Sequence, residues 1–254
     1  MMLSAELLAL DLPNRNQPPL SFVMNPGEIW GILGPNGVGK TTLLHTLASL
    51  RNKRSGEILL NGQNLLDCER LFIAQNMGVL FQEHQDGFPA TVLETVLLGR
   101  FPHNTSSWHK DSEEDIALAT LALKQLELEA LASRPLSQLS GGERQRTAIA
   151  ALLVQAPKIW LVDEPSNHLD LHHQVAVMKM LSQQALQNKL AVMTLHDVNL
   201  ATKWCSHVML LYPDRPALMG KTEQLLTVEN LEPLYQQRLA QGKINDQLVF
   251  IPSV

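Results

Sequence analysis

Gly34-Pro35-Asn36-Gly37-Val38-Gly39-Lys40-Thr41 limits what this chain can fold into more than any other stretch. It fits G-x-x-x-x-G-K-[ST], a loop whose glycines let the backbone close around phosphate oxygens and aim several N–H groups inward. An apolar run, residues 28–33, leads into it, and a helix-like run, residues 42–48, leads out. Strand, glycine-rich turn and helix is the context such a loop requires, and the helix N-terminus adds a partial positive charge. Lys40 is placed to reach the β- and γ-phosphates of a nucleotide, and the Thr41 hydroxyl to hold Mg²⁺. Thr42 completes the candidate phosphate-binding run. A chance glycine-rich turn would have no reason to carry Lys-Thr between these two flanks.

A length of 254 residues suits one large α/β domain, or one domain with a substantial insertion. The 45% hydrophobic content supplies a core of ordinary size. Net charge is −5 with acids and bases interspersed, which argues against nucleic-acid binding, because that needs a clustered basic face. Cys68 and Cys205 lie far apart, match no metal-ligand spacing and suit a reducing compartment. No apolar run approaches the ~18 residues of a membrane span. Residues 147–154 come nearest and are flanked by Arg144, Arg146 and Gln155. Residues 1–12 carry Glu6 and Asp11 and no basic stretch, so they do not read as a secretory leader. A membrane role would therefore go through a partner.

Periodicity sets the organisation. Residues 1–33 read as β-rich, 56–60 as a strand closed by the turn pair Asn61-Gly62, and 77–81 as a buried strand. Residues 91–99 and 113–131 carry apolar residues at helical spacing, with a loop expected over 100–108. Strand–helix alternation then returns: strands at 159–162, 189–194 and 208–212, helices at 174–186 and 198–205. The pattern predicts a largely parallel sheet covered by helices. It divides the chain into an α/β core, residues 1–87 and 157–254, and an inserted helical subdomain, residues 88–156.

Two further stretches carry chemistry. Residues 159–162 form an apolar strand that ends in Asp163-Glu164. Paired with a phosphate loop, such an Asp helps hold Mg²⁺, directly or through water, and the adjacent Glu can act as general base on an attacking water. In Leu139-Ser140-Gly141-Gly142-Glu143-Arg144-Gln145-Arg146, Ser140 and Glu143 fit a capping box at a helix start. Backbone N–H groups at Gly141 and Gly142 would make that helix end an anion site. His168, His172 and His173 lack the Glu that a zinc-protease helix would need at Leu169, and His84, His103 and His109 carry no spacing signal.

The stretch 139–146 resembles the signature motif of ATP-binding cassette (ABC) ATPases, and the family's other motifs occur in order. Gln82 resembles the Q-loop glutamine, residues 166–170 the D-loop, and His196 the switch histidine. The resemblance runs from about Leu8 to Leu226. It implies a RecA-like P-loop NTPase core with an N-terminal antiparallel β subdomain and the inserted α-helical subdomain. It also implies ATP and Mg²⁺ as cofactors, held by residues 34–42, Asp163 and Gln82. Glu164 would be the base, His196 would contact the γ-phosphate, and Gln82 would couple the site to a partner. Ser140, Gly141 and Gly142 would meet nucleotide bound by a second copy of the chain, and Asp170 of the D-loop would join the cofactor-binding set. The family usually places an aromatic residue upstream of the loop to stack on adenine. Residues 11–19 contain none, so adenine would be held more weakly or by other groups.

Val96-Leu97-Leu98-Gly99-Arg100-Phe101-Pro102-His103 is similar to a Gly-Arg-x-Pro-His stretch of the metal-chelate importers, which move ferric siderophores, haem or vitamin B12. Read structurally, Gly99 would cap the preceding helix and Pro102 would stop its restart. The short stretch 11–27 most resembles the vitamin B12 members. This resemblance implies a bacterial importer's ATPase at the cytoplasmic face of the inner membrane. Its partners would be a permease dimer and, indirectly, a periplasmic binding protein. A soluble, non-transport ABC ATPase and an exporter subunit are the alternatives. The permease is expected to dock near Gln82 and residues 83–100, so that changes within 85–89 uncouple hydrolysis from transport. Beyond Leu226, residues 231–235 suggest a helix and 247–252 a strand, serving core packing or a dimer contact.

Overall fold

The computed structural model describes residues 1–12, 17–81, 89–104 and 112–253. Strands β1 (Leu3–Leu10), β2 (Leu20–Met24) and β3 (Ile29–Leu33) lead to the glycine-rich loop and helix α1 (Lys40–Leu47). β4 (Lys53–Leu60) turns through Asn61-Gly62, both left-handed, into the short β5 (Gln63–Asn64). α2 (Arg70–Asn76) runs straight into β6 (Met77–Leu80). A helical block follows: α3 (Val92–Leu97), a 3-10 helix (Leu98–His103), α4 (Glu113–Gln125) and α5 (Gly141–Gln155). Alternation returns with β7 (Ile159–Asp163), α6 (Leu171–Leu186), β8 (Leu190–Thr194), α7 (Val198–Trp204) and β9 (His207–Leu210). Next come β10 (Leu218–Lys221), α8 (Thr222–Leu225), α9 (Val228–Tyr235) and a hairpin of β11 (Leu239–Ile244) and β12 (Gln247–Pro252).

The main sheet has the order β10-β9-β3-β8-β7-β6, parallel except for β10 at its edge. An antiparallel sheet, β2-β1-β4-β5, lies apart from it. Successive side chains of a strand point to opposite faces, and here each face meets its own core. Ile32, Leu161, Val192 and Met209 pack with the antiparallel sheet and with Leu43, Leu44 and Leu47 of α1. Leu33, Val162, Met193 and Leu210 pack toward Ile149 of α5 and Leu181 of α6. Burial on both faces explains why these strands are apolar without interruption.

Three helices of the block begin with a capping box: Thr91 with Glu94, Ser112 with Asp115, and Ser140 with Glu143. Each box satisfies two backbone N–H groups and fixes where its helix begins. Arg100 Nε donates to Asp115 Oδ1 at 2.6 Å and holds that carboxyl below the usual carboxylate range, so α4 starts on a part-buried ion pair.

Several expectations need correction. Residues 100–103 are not loop but part of the 3-10 helix, since Arg100 and His103 bond to backbone carbonyls at the end of α5. Gly99 does not cap a helix; it is glycine because a Cβ there would lie 2.1 Å from the carbonyl oxygen of Ala151. The helix expected over 113–131 ends at Gln125, where Glu127 turns left-handed and a separate 3-10 turn spans Glu129–Leu131. α2, β10 and β11 were not expected from periodicity. Gln82, His84, His109, residues 85–88 and 105–108, and part of the aromatic-free stretch lie outside the described residues.

The segment beyond Leu226 packs on the core. Phe250 is buried, and its backbone N–H and C=O pair with the Asn199 side chain of α7 at 2.8 and 3.1 Å. Cys205 is buried against Gly31, where an added Cβ would lie 2.9 Å from its Sγ, and burial pushes its thiol up to about 12. Gly99→Ala should destabilise the fold by about 1–3 kcal/mol, because the added methyl meets backbone rather than a movable side chain. Urea unfolding at constant m-value measures it; an unchanged midpoint would show that the 3-10 helix does not need that close approach.

Candidate active site

The glycine-rich loop begins where β3 ends. Val38 is fully buried and anchors the loop, while Gly37 has open space where a Cβ would stand. Gly39 is left-handed (φ 108°), and Leu12, two residues past the end of β1, packs against its bare Cα. Lys40, in the first turn of α1, is 6% exposed. Its Nζ donates to the carbonyls of Gly34 (2.8 Å) and Pro35 (3.3 Å). Burial lowers its pKa, against the opposing charges of Glu164 and Asp163. Thr41 is half-buried and Thr42 buried, the latter accepting from Arg51 Nη1 at 3.3 Å. Gln17 braces the loop from outside by donating to the carbonyls of Val38 and Tyr212. An amide in a proline-rich stretch gave no warning of that role.

Asp163 and Glu164 stand at the end of β7, and both are buried. Register aligns Asp163 with Thr194, the last residue of β8. The Thr194 hydroxyl donates to Asp163 Oδ1 and accepts from the Glu164 backbone N–H at 2.9 Å. Asp163 Oδ2 is buried with no partner among the described residues. Glu164 is left-handed (φ 49°), an uncommon conformation for a side chain of this size. Its two carboxylate oxygens accept from Asn167 Nδ2 and from His196 Nε2. Sequence reasoning missed Thr194 and the brace from Asn167. A strand-end hydroxyl two residues before His196 was the available signal.

This arrangement fits a Mg²⁺-nucleotide. An unsatisfied carboxylate oxygen, a buried ammonium and an open concave loop lie within one another's electrostatic reach. Lys40, Asp163, Glu164 and His196 come together; Gln82 lies outside the described residues.

Ser140, Gly141 and Gly142 form a second face. They line a groove of about 400 Å³ together with Arg146, His168 and Asp170, and no residue of the phosphate loop borders it. A Cβ on Gly142 would lie 2.9 Å from the His168 carbonyl oxygen, so glycine lets the D-loop-like stretch press against the start of α5. The Asp170 carboxylate caps α6, accepting from the His173 backbone N–H at 2.9 Å and facing His173 Nδ1 at 2.8 Å. His172 and His173 both approach Glu127.

Residues 18–167 match the family model described as ABC transporter. This chain belongs to the ABC transporter family. It is an ATP-binding cassette, with the family's P-loop NTPase fold. It is similar to the hemin import ATP-binding protein HmuV of Escherichia coli O157:H7, 36% identical over 242 residues and covering 92% of each chain. It is also similar to the uncharacterized ABC transporter ATP-binding protein YvrA of Bacillus subtilis. There it is 36% identical over 217 residues, covering 85% of this chain but only 49% of that protein. A solved ABC transporter assigned to the metal-chelate type, in an inward-facing conformation, superposes with a TM-score of 0.85. Its identity to this cassette is 32%, with 99% of this chain and 97% of that one covered.

Thr194→Val should cost the cassette about 1–3 kcal/mol, since it strands a buried carboxylate oxygen and the Glu164 N–H. Thr194→Ser should recover most of that. Thermal and urea unfolding compare the two; equal stability of Val and Ser variants would show that the hydroxyl bridge does not hold the strand ends.

Proposed function

We propose that this cassette hydrolyses ATP to drive uptake of a metal chelate, such as haem or a ferric siderophore, through a separate membrane permease. The observation that carries the chemistry is the Glu164 carboxylate, braced by Asn167 and His196 beside Lys40. Support for the cargo class comes from the hemin import relative, the metal-chelate neighbour and the Gly-Arg-Phe-Pro-His stretch. Cargo itself is chosen by the permease and binding protein, so the class and not one member, vitamin B12 included, belongs to this chain.

In this reading the 34–42 loop and Lys40 bind the phosphates of ATP. Thr41, Gln82 and Asp163 would hold Mg²⁺, which would offset charge on the β- and γ-phosphates. Glu164 takes a proton from a water whose oxygen attacks the γ-phosphorus. The bond to the bridging oxygen breaks, and ADP and phosphate leave. Asn167 and His196 hold the base in place, and His196 can swing from Glu164 to the γ-phosphate. The groove at residues 140–142 lies apart from the loop and therefore serves nucleotide held by a second copy. Two chains sandwich two ATP molecules head to tail, and hydrolysis loosens them.

Among the described residues no helix is long and apolar enough to cross a membrane. Docking falls to a groove of about 450 Å³ that includes Leu50, Leu66, Arg70, Ile73, Phe81 and Gln155. Phe81 on its wall precedes Gln82 in sequence, while none of the described residues lining it lies within the 83–100 stretch expected for docking. Exposed Leu50, Leu66 and Phe81 suit an apolar segment of the permease dimer. The nucleotide places the cassette at the cytoplasmic face of the bacterial cell membrane, with a periplasmic binding protein delivering cargo on the far side.

Glu164→Gln keeps size and removes the base. It should retain ATP binding, lower turnover about 10²–10⁴-fold, and accumulate an ATP-bound dimer on gel filtration. Wild-type turnover would refute the assignment. Ser140→Arg and Lys40→Ala should each be inactive, while their mixture should recover partial hydrolysis from the one composite site that keeps both residues. Full activity of Ser140→Arg alone would remove residues 140–142 from the reaction.

A further inference from the structure

A helix leaves its last four carbonyls without partners inside the helix. In α5 all four are met. Ala156 N donates to Leu152 O and Leu153 O at 3.2 and 3.1 Å. Arg100 Nη1 donates to Val154 O at 3.3 Å, and His103 Nε2 to Gln155 O at 2.8 Å. Two of the four carbonyls are therefore met from the 3-10 helix, which Gly99 lets lie against the α5 backbone.

The same joint reaches toward the core. Gln75 of α2 donates from Nε2 to Pro102 O at 2.9 Å. Gln155 Nε2 donates to Ala74 O at 2.7 Å and Met77 O at 3.1 Å. Ala74, Met77 and Gln155 all line the groove of about 450 Å³. The far end of α5 carries Ser140, about 22 Å away at 1.5 Å rise per residue.

We propose that His103 and Arg100 are positioning residues for the ATP site completed by the second copy. They pin the end of α5 to the groove, so that a segment entering the groove shifts α5 as a body and moves residues 140–142. Close-packed elements move between discrete arrangements rather than bend, so a helix held at one end transmits displacement to the other. This deepens the proposed function and rests on its head-to-tail dimer.

The test uses the full chain carrying Glu164→Gln, with three readouts: nucleotide binding by the monomer, ATP-driven dimerisation by analytical ultracentrifugation, and thermal unfolding. Adding His103→Ala should raise the ATP concentration for half-dimerisation about tenfold while monomer binding stays unchanged. His103→Gln, which keeps an amide donor, should restore most of it. Gln155→Met, which keeps length and removes the donor to Ala74 and Met77, should act in the same direction as His103→Ala. Dimerisation at the unaltered ATP concentration in both His103→Ala and Gln155→Met would overturn the proposal. Loss of monomer binding in step with thermal stability would also overturn it, as the mark of a purely structural role. A Glu164→Gln chain that binds ATP yet stays monomeric would instead overturn the dimer reading, and the proposal with it.

Discussion

An ammonium and two carboxylates taken out of water at the carboxyl ends of a parallel sheet form the constraint that the surrounding structure serves. Removing such charges from solvent is costly unless each finds partners in good geometry. Lys40 finds loop carbonyls and the field of two acids; Asp163 and Glu164 find Thr194, Asn167 and His196. Those partners arrive from the end of β8 and from the segments that follow β7 and β8, so the two strands must end in step, as the pairing of Asp163 with Thr194 shows. Ligands of open α/β sheets sit beyond the carboxyl ends of the strands, and here the burial of charge explains why the apolar runs stop there.

The helical block obeys a different economy. Its helices are fixed at their starts by side chains three residues apart, and α5 is also fixed at its end by side chains from another element. α5 is thus held at both termini, and it runs between two grooves. The phosphate loop is different: its groups converge on one another, and its shape comes from glycines and from Leu12 rather than from caps.

Local signals made much of this legible in the sequence. The 34–41 loop, the Asp163-Glu164 pair and the Ser140–Glu143 box are each written in a few adjacent residues, and the parallel strands announce themselves by unbroken apolar runs. What periodicity missed depends on distant contacts. α2 is short and mostly half-exposed to exposed, so it has little apolar pattern. β11 is almost wholly exposed and exists because β12 pairs with it. Residues 100–103 read as loop because their partners lie more than 50 positions away in α5. Thr194 looked like one more β-branched strand residue, and only the register of β7 against β8 gives its hydroxyl a task.

The two cysteines differ sharply in what they offer a chemist. Cys205 is sealed against Gly31 with its thiol pushed up to about 12, so it will hardly form the reactive thiolate. Cys68 is half-buried and lies on the wall of the 450 Å³ groove. The unaltered chain thus carries one addressable thiol at the surface proposed for its partner. A thiol-reactive fluorophore would sit there without any engineered handle and report occupancy of that surface directly.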